Sequence, residues 1–303
     1  MRKILLNSVQ TDLKKRSIAS KKEKRGKCLT FLCVGISVVI MAALIFLITY
    51  KGLLLFLQDK VSLPAFLSGI KWDPENGHFG ALAMICGSIF VTTLAVLLAF
   101  PFSFGTAIFI SEIKPARGKK YLRLAIELLI GIPAVVYGFV GISIVVPLLR
   151  FIFGGTGFGL LAGAIVLAIM VLPTMSTLCV DAFKSVPESY RKTSRALGAT
   201  QWQTLQRIVL PIALPQIIVA VLFALAQAFG EAIAVQMVLG NAILLPKHLM
   251  SPAATLTSVI TSGMGDSIRG SVENDALWSL ALLLLLISLL FNLAAHFAMR
   301  RRS

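Results

Sequence analysis

Long apolar stretches separated by short polar segments are the main feature of this 303-residue chain. A helix needs about 20 apolar residues to cross the roughly 30 Å hydrocarbon core of a bilayer, and six stretches reach that length. They cover residues 28–50, 81–110, 124–149, 158–180, 214–239 and 276–298. Because unpaired backbone is too costly in lipid, the pattern predicts an all-α fold, a polytopic membrane bundle of six transmembrane helices.

The positive charges lie between these stretches. Of the 29 Lys and Arg residues, 23 fall in the segments 1–27, 111–123, 181–213 and 299–303, and six fall in the remaining connections. Since cytoplasmic loops carry the excess of Lys and Arg, we expect an inner-membrane protein with both termini in the cytoplasm. The net charge of +16 then follows from topology, and no nucleic-acid partner is expected. Residues 1–27 form a basic cytoplasmic segment, and a six-span domain follows over 28–303, with its core at 81–298.

Residues that usually carry cofactor chemistry are sparse and scattered. The four cysteines lie in apolar runs without a CxxC pair, and the three histidines are far apart, so we expect no metal site and no catalytic centre. Only Glu127 and Glu231 are acids within the six stretches, which argues against an intramembrane enzyme. No G-x4-G-K-[ST] loop is present, so a phosphate cradle for ATP is missing. We therefore expect no cofactor in this chain, with any ATP bound by a partner subunit.

The longest internal polar segment contains a recognisable helical hairpin at residues 185–211. Ser185-Val186-Pro187-Glu188 has the pattern of a capping box with proline in the first turn, which predicts a helix to about Leu197. Gly198 suits a left-handed helix end, and Thr200-Gln201-Trp202-Gln203 is a second capping box. Its helix is expected to stop before Pro211. A helix-turn-helix that reads DNA is excluded by the membrane tethers at both ends, which leaves a solvated connector or a docking element for a cytoplasmic partner.

The spacing within the hairpin carries a family resemblance. Gly198 followed after nine residues by Ile208-Val209-Leu210-Pro211 resembles the coupling loop of binding-protein-dependent ABC importer permeases, whose pattern is EAA-x3-G-x9-I-x-L-P. This resemblance implies a type I ABC importer permease fold and a hairpin that docks in a groove of a cytoplasmic ATPase dimer. The candidate coupling residues are Glu188, Arg191, Lys192, Arg195, Ala196, Leu197, Gly198 and Ala199.

The match has one reversal of charge. Lys192-Thr193-Ser194 stands where the family has EAA, so a cation occupies the position of the usual Glu. We infer that the surface of the ATPase partner differs locally, or that Glu188 takes over the role of that Glu.

Further strings resemble the permeases of phosphate importers (the Pst system), and within them the PstC type. They are 72–74, 79–82, 127–129, 131–139, 229–235 and 240–241. The resemblance implies a permease that moves inorganic phosphate by alternating access, together with a second similar permease, an ATPase dimer and an extracytoplasmic phosphate-binding protein. Another oxyanion, molybdate, tungstate or sulfate, stays open as the substrate, and a passive channel would leave the hairpin unexplained.

Glu231 is the strongest candidate for the substrate pathway. An ionised side chain in the membrane is costly unless it is paired or hydrated, so Glu231 marks a wet path or has a partner. The family usually has an Arg four residues earlier, where this chain has Gln227; the two share a helix face. Either Glu231 lines the pathway, or it is protonated and hydrogen-bonded to Gln227 or another helix. The resemblance adds Asn241 to the candidate pathway, while Glu127 is expected to pair with Arg123 at the membrane interface.

Overall fold

The computed structural model describes residues 2–113 and 116–300. Within these ranges, six helices are long and apolar enough to cross a membrane, which confirms the predicted helical bundle. They are Gly26–Leu57, Leu82–Ser111, Ala134–Phe153, Leu160–Lys184, Gln201–Phe229 and Val272–Ala298.

The chain divides into two units, Met1–Lys51 and Gly52–Ser303. The first unit consists of most of helix α1, Arg2–Leu57. The second unit contains the remaining elements, α2 (Leu63–Ser68), β1 (Trp72–Asp73), β2 (His78–Phe79), α3 (Leu82–Ser111), α4 (Ala116–Ile130), α5 (Ala134–Phe153), α6 (Leu160–Lys184), α7 (Glu188–Ala196), α8 (Gln201–Phe229), α9 (Ile233–Leu239), α10 (Leu256–Asp266) and α11 (Val272–Arg300).

The small two-stranded sheet pairs β1 and β2 antiparallel, with Trp72 opposite Phe79 and Asp73 opposite His78. The Asn76 side chain donates a 2.9 Å hydrogen bond to Asp73. Because this bond stabilises the charged carboxylate, it lowers the pKa of Asp73 below its usual value.

The third predicted span, 124–149, is wrong in its first part. Residues up to Ile130 belong to the separate helix α4, and the span itself is α5. The break falls at Pro133, whose backbone is extended (ψ 144°), because proline disfavours helical geometry in the preceding residue and has no N–H to donate. The Tyr137 hydroxyl donates to the Leu129 carbonyl across the turn, at 2.8 Å.

The revised helix boundary also changes the surroundings of Glu127. This residue lies on α4, where it and Arg123 are both exposed. The ion pairs found among the described side chains do not include the expected contact between them.

The fifth predicted span, 214–239, is wrong at both ends. Helix α8 begins already at Gln201 and runs through Pro211, so the expected stop before this proline does not occur. A π-helical turn at Leu205–Val209 precedes the proline; the wider turn shifts the hydrogen-bond register, so that Pro211 enters the next α-helical segment at its first turn, where its missing N–H is tolerated. At the other end α8 stops at Phe229, and α9 starts only at Ile233.

The central core joins α3 and α6, which both end next to the hairpin formed by α7 and the start of α8. Ser103 on α3 donates a 3.2 Å hydrogen bond to the Leu172 carbonyl on α6. The core is built from buried small and branched apolar side chains, among them Val91, Ala95, Ala99, Leu167, Val171, Met175 and Phe183. Close packing of this kind makes interiors resistant to compression, so α3 and α6 are expected to move together.

Candidate functional site

The hairpin has the turn geometry that its sequence predicts. Gly198 adopts a left-handed backbone (φ +80°) after α7. The Gln203 N–H donates to the Thr200 hydroxyl at 3.2 Å, and the Thr200 N–H donates to the Gln203 side chain at 2.9 Å, which confirms the second capping box.

The first capping box is wrong. Ser185 is the C-cap residue of α6, and its hydroxyl lies 2.8 Å from the Ala182 carbonyl and 2.6 Å from Gln216 Oε1. Helix α7 instead starts after Pro187, without a side-chain cap. The local pattern misleads because Ser185 already completes the preceding helix, which takes precedence over starting a new one.

The side of the hairpin that faces the bundle is held by a buried ion pair. Arg191 on α7 contacts Glu112, the residue directly after α3. Its Nη2 lies 2.8 Å from Oε1, and its Nε lies 3.2 Å from Oε1 and 3.4 Å from Oε2. The two side chains are only 13% and 6% exposed. Arg191 also donates to the carbonyls of Phe183 (2.7 Å) and Val186 (2.5 Å), so every polar group of this pair has a partner.

Two further contacts hold the start of α8, the second arm of the hairpin. The Gln201 side chain on α8 donates to the Glu112 carbonyl at 2.6 Å. The hydroxyls of Ser194 on α7 and Thr204 on α8 are buried and lie 2.9 Å apart. The two arms of the hairpin are therefore joined to each other and to the end of α3.

The opposite side of the hairpin is exposed and carries both apolar and basic groups. Leu197 is 83% exposed, Trp202 60% and Tyr190 52%, and Lys192 and Arg195 are also exposed. Of the eight candidate coupling residues, Arg191 is turned inward and Ala199 is half-buried, while the others are exposed: Glu188, Lys192, Arg195, Ala196, Leu197 and Gly198. The surface of these exposed residues, with Tyr190 and Trp202, is called the hairpin tip below.

Glu231 lies in the break between α8 and α9, at residues 230–232. One of its carboxylate oxygens accepts from the Ala234 N–H at 3.4 Å, and its carbonyl accepts from the Thr257 hydroxyl at 2.8 Å. The break thus exists because a carboxylate and a hydroxyl satisfy backbone groups that a continuous helix would pair internally.

The other two pathway candidates differ in their relation to Glu231. Gln227 lies one turn before the break, half-buried, and its Oε1 has no hydrogen-bond partner in the described part of the chain. Asn241 lies beyond α9, with a left-handed backbone (φ +50°), and its side chain donates to the Gln236 carbonyl at 3.1 Å. Seven helical residues span about 10 Å, so Asn241 caps the far end of α9, away from Glu231. Because the helix ends at Phe229, between Gln227 and Glu231, the two residues do not share a continuous helix face, and the hydrogen bonds of the described residues include none between them.

The sequence reasoning missed Glu112 and Gln201. Glu112 is the only acid in the basic segment 111–123. A single acid among basic residues was the one feature of the sequence that pointed to a special role for it. Its partner Arg191 is 79 residues away in sequence, so no local pattern could identify the pair.

Residues 103–302 match the family described as binding-protein-dependent transport system inner membrane component. The chain belongs to this family. It is therefore the membrane-embedded permease subunit of an ABC importer, a multi-pass component that is not itself catalytic.

Individual members of the family are similar over most of the chain. A Bacillus subtilis (strain 168) protein named as probable ABC transporter permease protein YqgH is 45% identical, over 92% of each chain. The phosphate transport system permease protein PstC of Mesorhizobium japonicum is 32% identical, over 78% of each chain. A solved bacterial ABC transporter involved in the import of the acidic polysaccharide alginate has the same fold, with a TM-score of 0.63 over 93% of this chain and 99% of its own, at 16% identity.

Proposed function

We propose that this permease moves inorganic phosphate across the inner membrane into the cytoplasm by alternating access. It would act with a second similar permease, an ATPase dimer that binds the ATP, and an extracytoplasmic binding protein that delivers phosphate. The support is the similarity to relatives named as phosphate permeases and the sequence strings described above. The distribution of Lys and Arg favours both termini in the cytoplasm, with the hairpin on the side where ATP is available.

The observation that carries the coupling part of the proposal is the form of the hairpin. Its inner side is fixed to α3 by a buried ion pair, while its tip exposes Leu197 and Trp202 to solvent. Several large apolar side chains exposed together on one short polar segment are a feature typical of an interaction surface. An ATPase groove that closes on this tip would move the hairpin, and the hairpin would move α3 and α6.

The break at Glu231 is the proposed moving part within the membrane. Irregular backbone at membrane depth is tolerated where it lines a cavity or is buried in protein, and a broken helix bends at lower cost than a continuous one. A carboxylate repels an anionic substrate, so a cation from the second permease would be needed beside it to hold phosphate.

Another oxyanion remains a second candidate because of Gln227. Its neutral amide stands where the resemblance leads one to expect an Arg, and its Oε1 lacks a hydrogen-bond partner among the described residues. A site with less positive charge could favour a different anion.

Uptake by the complete complex in proteoliposomes tests the substrate. We expect ATP-dependent uptake of labelled phosphate that excess unlabelled phosphate inhibits and that molybdate, tungstate and sulfate do not. Stronger inhibition by one of the other three anions would replace phosphate with that anion.

The pathway role of Glu231 is tested by substitution in the same assay. Glu231→Ala is expected to abolish uptake, whereas Glu127→Gln, a change at an exposed acid on α4, is expected to leave it intact. If Glu231→Ala retains uptake and its coupling to ATP, Glu231 does not gate the pathway.

A further inference from the structure

We infer that Glu112 and Arg191 are positioning residues that make the hairpin and the end of α3 one mechanical unit, so that motion at the hairpin is passed to the membrane helices. This inference rests on the proposed function, because it presumes that an ATPase moves the hairpin. Arg191 and Glu112 then act inside the permease and not on the surface that the ATPase contacts.

The position of Glu112 lets one residue hold both arms of the hairpin. Its carboxylate binds Arg191 on α7, and its backbone carbonyl accepts from Gln201, the first residue of α8. The end of α3 is therefore fixed at two points, one on each helix, and a displacement of either arm pulls on the same residue.

Arg191 adds a third connection, to α6. It donates to the carbonyls of Phe183, in the last turn of α6, and of Val186, in the short link to α7. The last carbonyls of a helix lack internal partners and carry partial negative charge, so a guanidinium is well suited to bind them. Three elements, α3, α6 and α7, thus meet at one side chain.

The nature of the contact explains why it would transmit force. A guanidinium and a carboxylate bind in a planar, two-point arrangement that fixes orientation as well as distance. Both side chains are more than four-fifths buried, so water cannot readily replace either partner. Removing one partner leaves an uncompensated buried charge, which strongly disfavours the arrangement in which α7 packs against the end of α3.

A nearby ion pair shows what a contact without this role looks like. Asp181 and Lys184, in the last turns of α6, lie 3.7 Å apart and are 65% and 42% exposed. Exposed pairs of this kind contribute little, and both partners belong to the same helix. Asp181→Asn is therefore a matched control that removes an acid from the same end of the bundle.

The first measurement tests the contact between Glu112 and Arg191 and does not depend on transport. Hydrogen–deuterium exchange is recorded on the full-length permease in nanodiscs. Glu112→Gln, which keeps the shape and removes the charge, should speed exchange of the backbone amides of 188–200 at least about tenfold, as expected for loss of a buried charged partner. Glu112→Asp should give a smaller increase, and Asp181→Asn none. Equal exchange in Glu112→Gln and the unsubstituted protein would overturn the inference.

The second measurement is the amount of phosphate moved per ATP hydrolysed by the complete complex with its ATPase and binding protein. Glu112→Gln should still co-purify with the ATPase and hydrolyse ATP, but the phosphate moved per ATP should fall at least about tenfold, with partial recovery in Glu112→Asp. If hydrolysis and uptake fall in proportion, the pair serves the fold alone and the inference fails. If the unsubstituted complex shows no ATP-driven uptake, the proposed function fails and the coupling role fails with it. The exchange data would still show whether the contact between Glu112 and Arg191 holds the hairpin.

Discussion

Leu197 at the hairpin tip offers the most direct test of docking. The side chain is 83% exposed, so it contributes almost nothing to packing within the permease. Its backbone N–H donates to the Thr193 carbonyl at 3.1 Å, and alanine preserves this bond. Leu197→Ala should therefore leave the fold and the thermal stability of the isolated permease unchanged.

The expected loss of affinity follows from the area that docking would bury. Complete burial of a leucine side chain is worth about 1.5–3 kcal/mol, and four-fifths of this side chain is available. Its replacement by alanine should then cost about 2 kcal/mol if the ATPase covers it. Since about 1.4 kcal/mol corresponds to a factor of ten, the dissociation constant should rise about 30-fold.

The assay is the equilibrium affinity of the permease in nanodiscs for its purified ATPase partner, measured by biolayer interferometry. Ile268 supplies a control of the same character, because it is 78% exposed in the loop between α10 and α11, outside the hairpin. Ile268→Ala should leave the dissociation constant unchanged. An affinity for Leu197→Ala equal to that of the Ile268 control would show that the tip stays in solvent, and the docking argument would be wrong.

Two predictions concern the stability of the bundle, measured as the melting temperature of the purified permease. In Gly87→Ala the added Cβ would collide with the carbonyl oxygen of Ala254, and overpacking of about 1–3 kcal/mol should lower the melting temperature by several degrees; Gly105→Ala, in the same helix but with open space around it, should leave it equal or higher, and the reverse order would contradict the packing of α3. Ser194→Ala removes the buried hydroxyl contact to Thr204 and should cost about 1 kcal/mol, so an unchanged melting temperature would show that this contact contributes nothing.

The existence of the six spans follows from the sequence alone, but their ends do not. Length and apolar content determine whether a segment enters the membrane, whereas its boundaries depend on how the backbone is satisfied locally. The helix breaks at Pro133 but continues through Pro211. It continues there because the π turn at Leu205–Val209 places Pro211 in the first turn of the next helical segment, where its missing N–H is tolerated. A second π turn, at Gly141–Val145, precedes Pro147 in the same way. Proline alone therefore does not determine whether a helix ends.

The features of the hairpin also fall into two groups, those that depend on neighbouring residues and those that depend on residues far apart in sequence. Gly198 and the Thr200 capping box act through neighbouring residues, so their geometry could be predicted. The contact between Glu112 and Arg191 joins residues far apart in sequence, and it exists only because α3 and α6 end at the same level of the bundle. The resemblance to the coupling loop placed Arg191 among the candidate docking residues, but in the structure its side chain is buried against Glu112.

The structure shows where the charge of Lys192 lies relative to that of Glu188. Lys192 and Glu188 lie four residues apart on α7, on one face and with the acid first, the order that favours an ion pair in a helix, yet the described residues show no contact between them. Arg191 is occupied with Glu112, so it is not available to neutralise Glu188. Both Glu188 and Lys192 therefore present their charges outward, one turn apart. An ATPase that docks here would need a cation opposite Glu188 and an acid opposite Lys192, which makes the arrangement of charge in its groove specific to this permease.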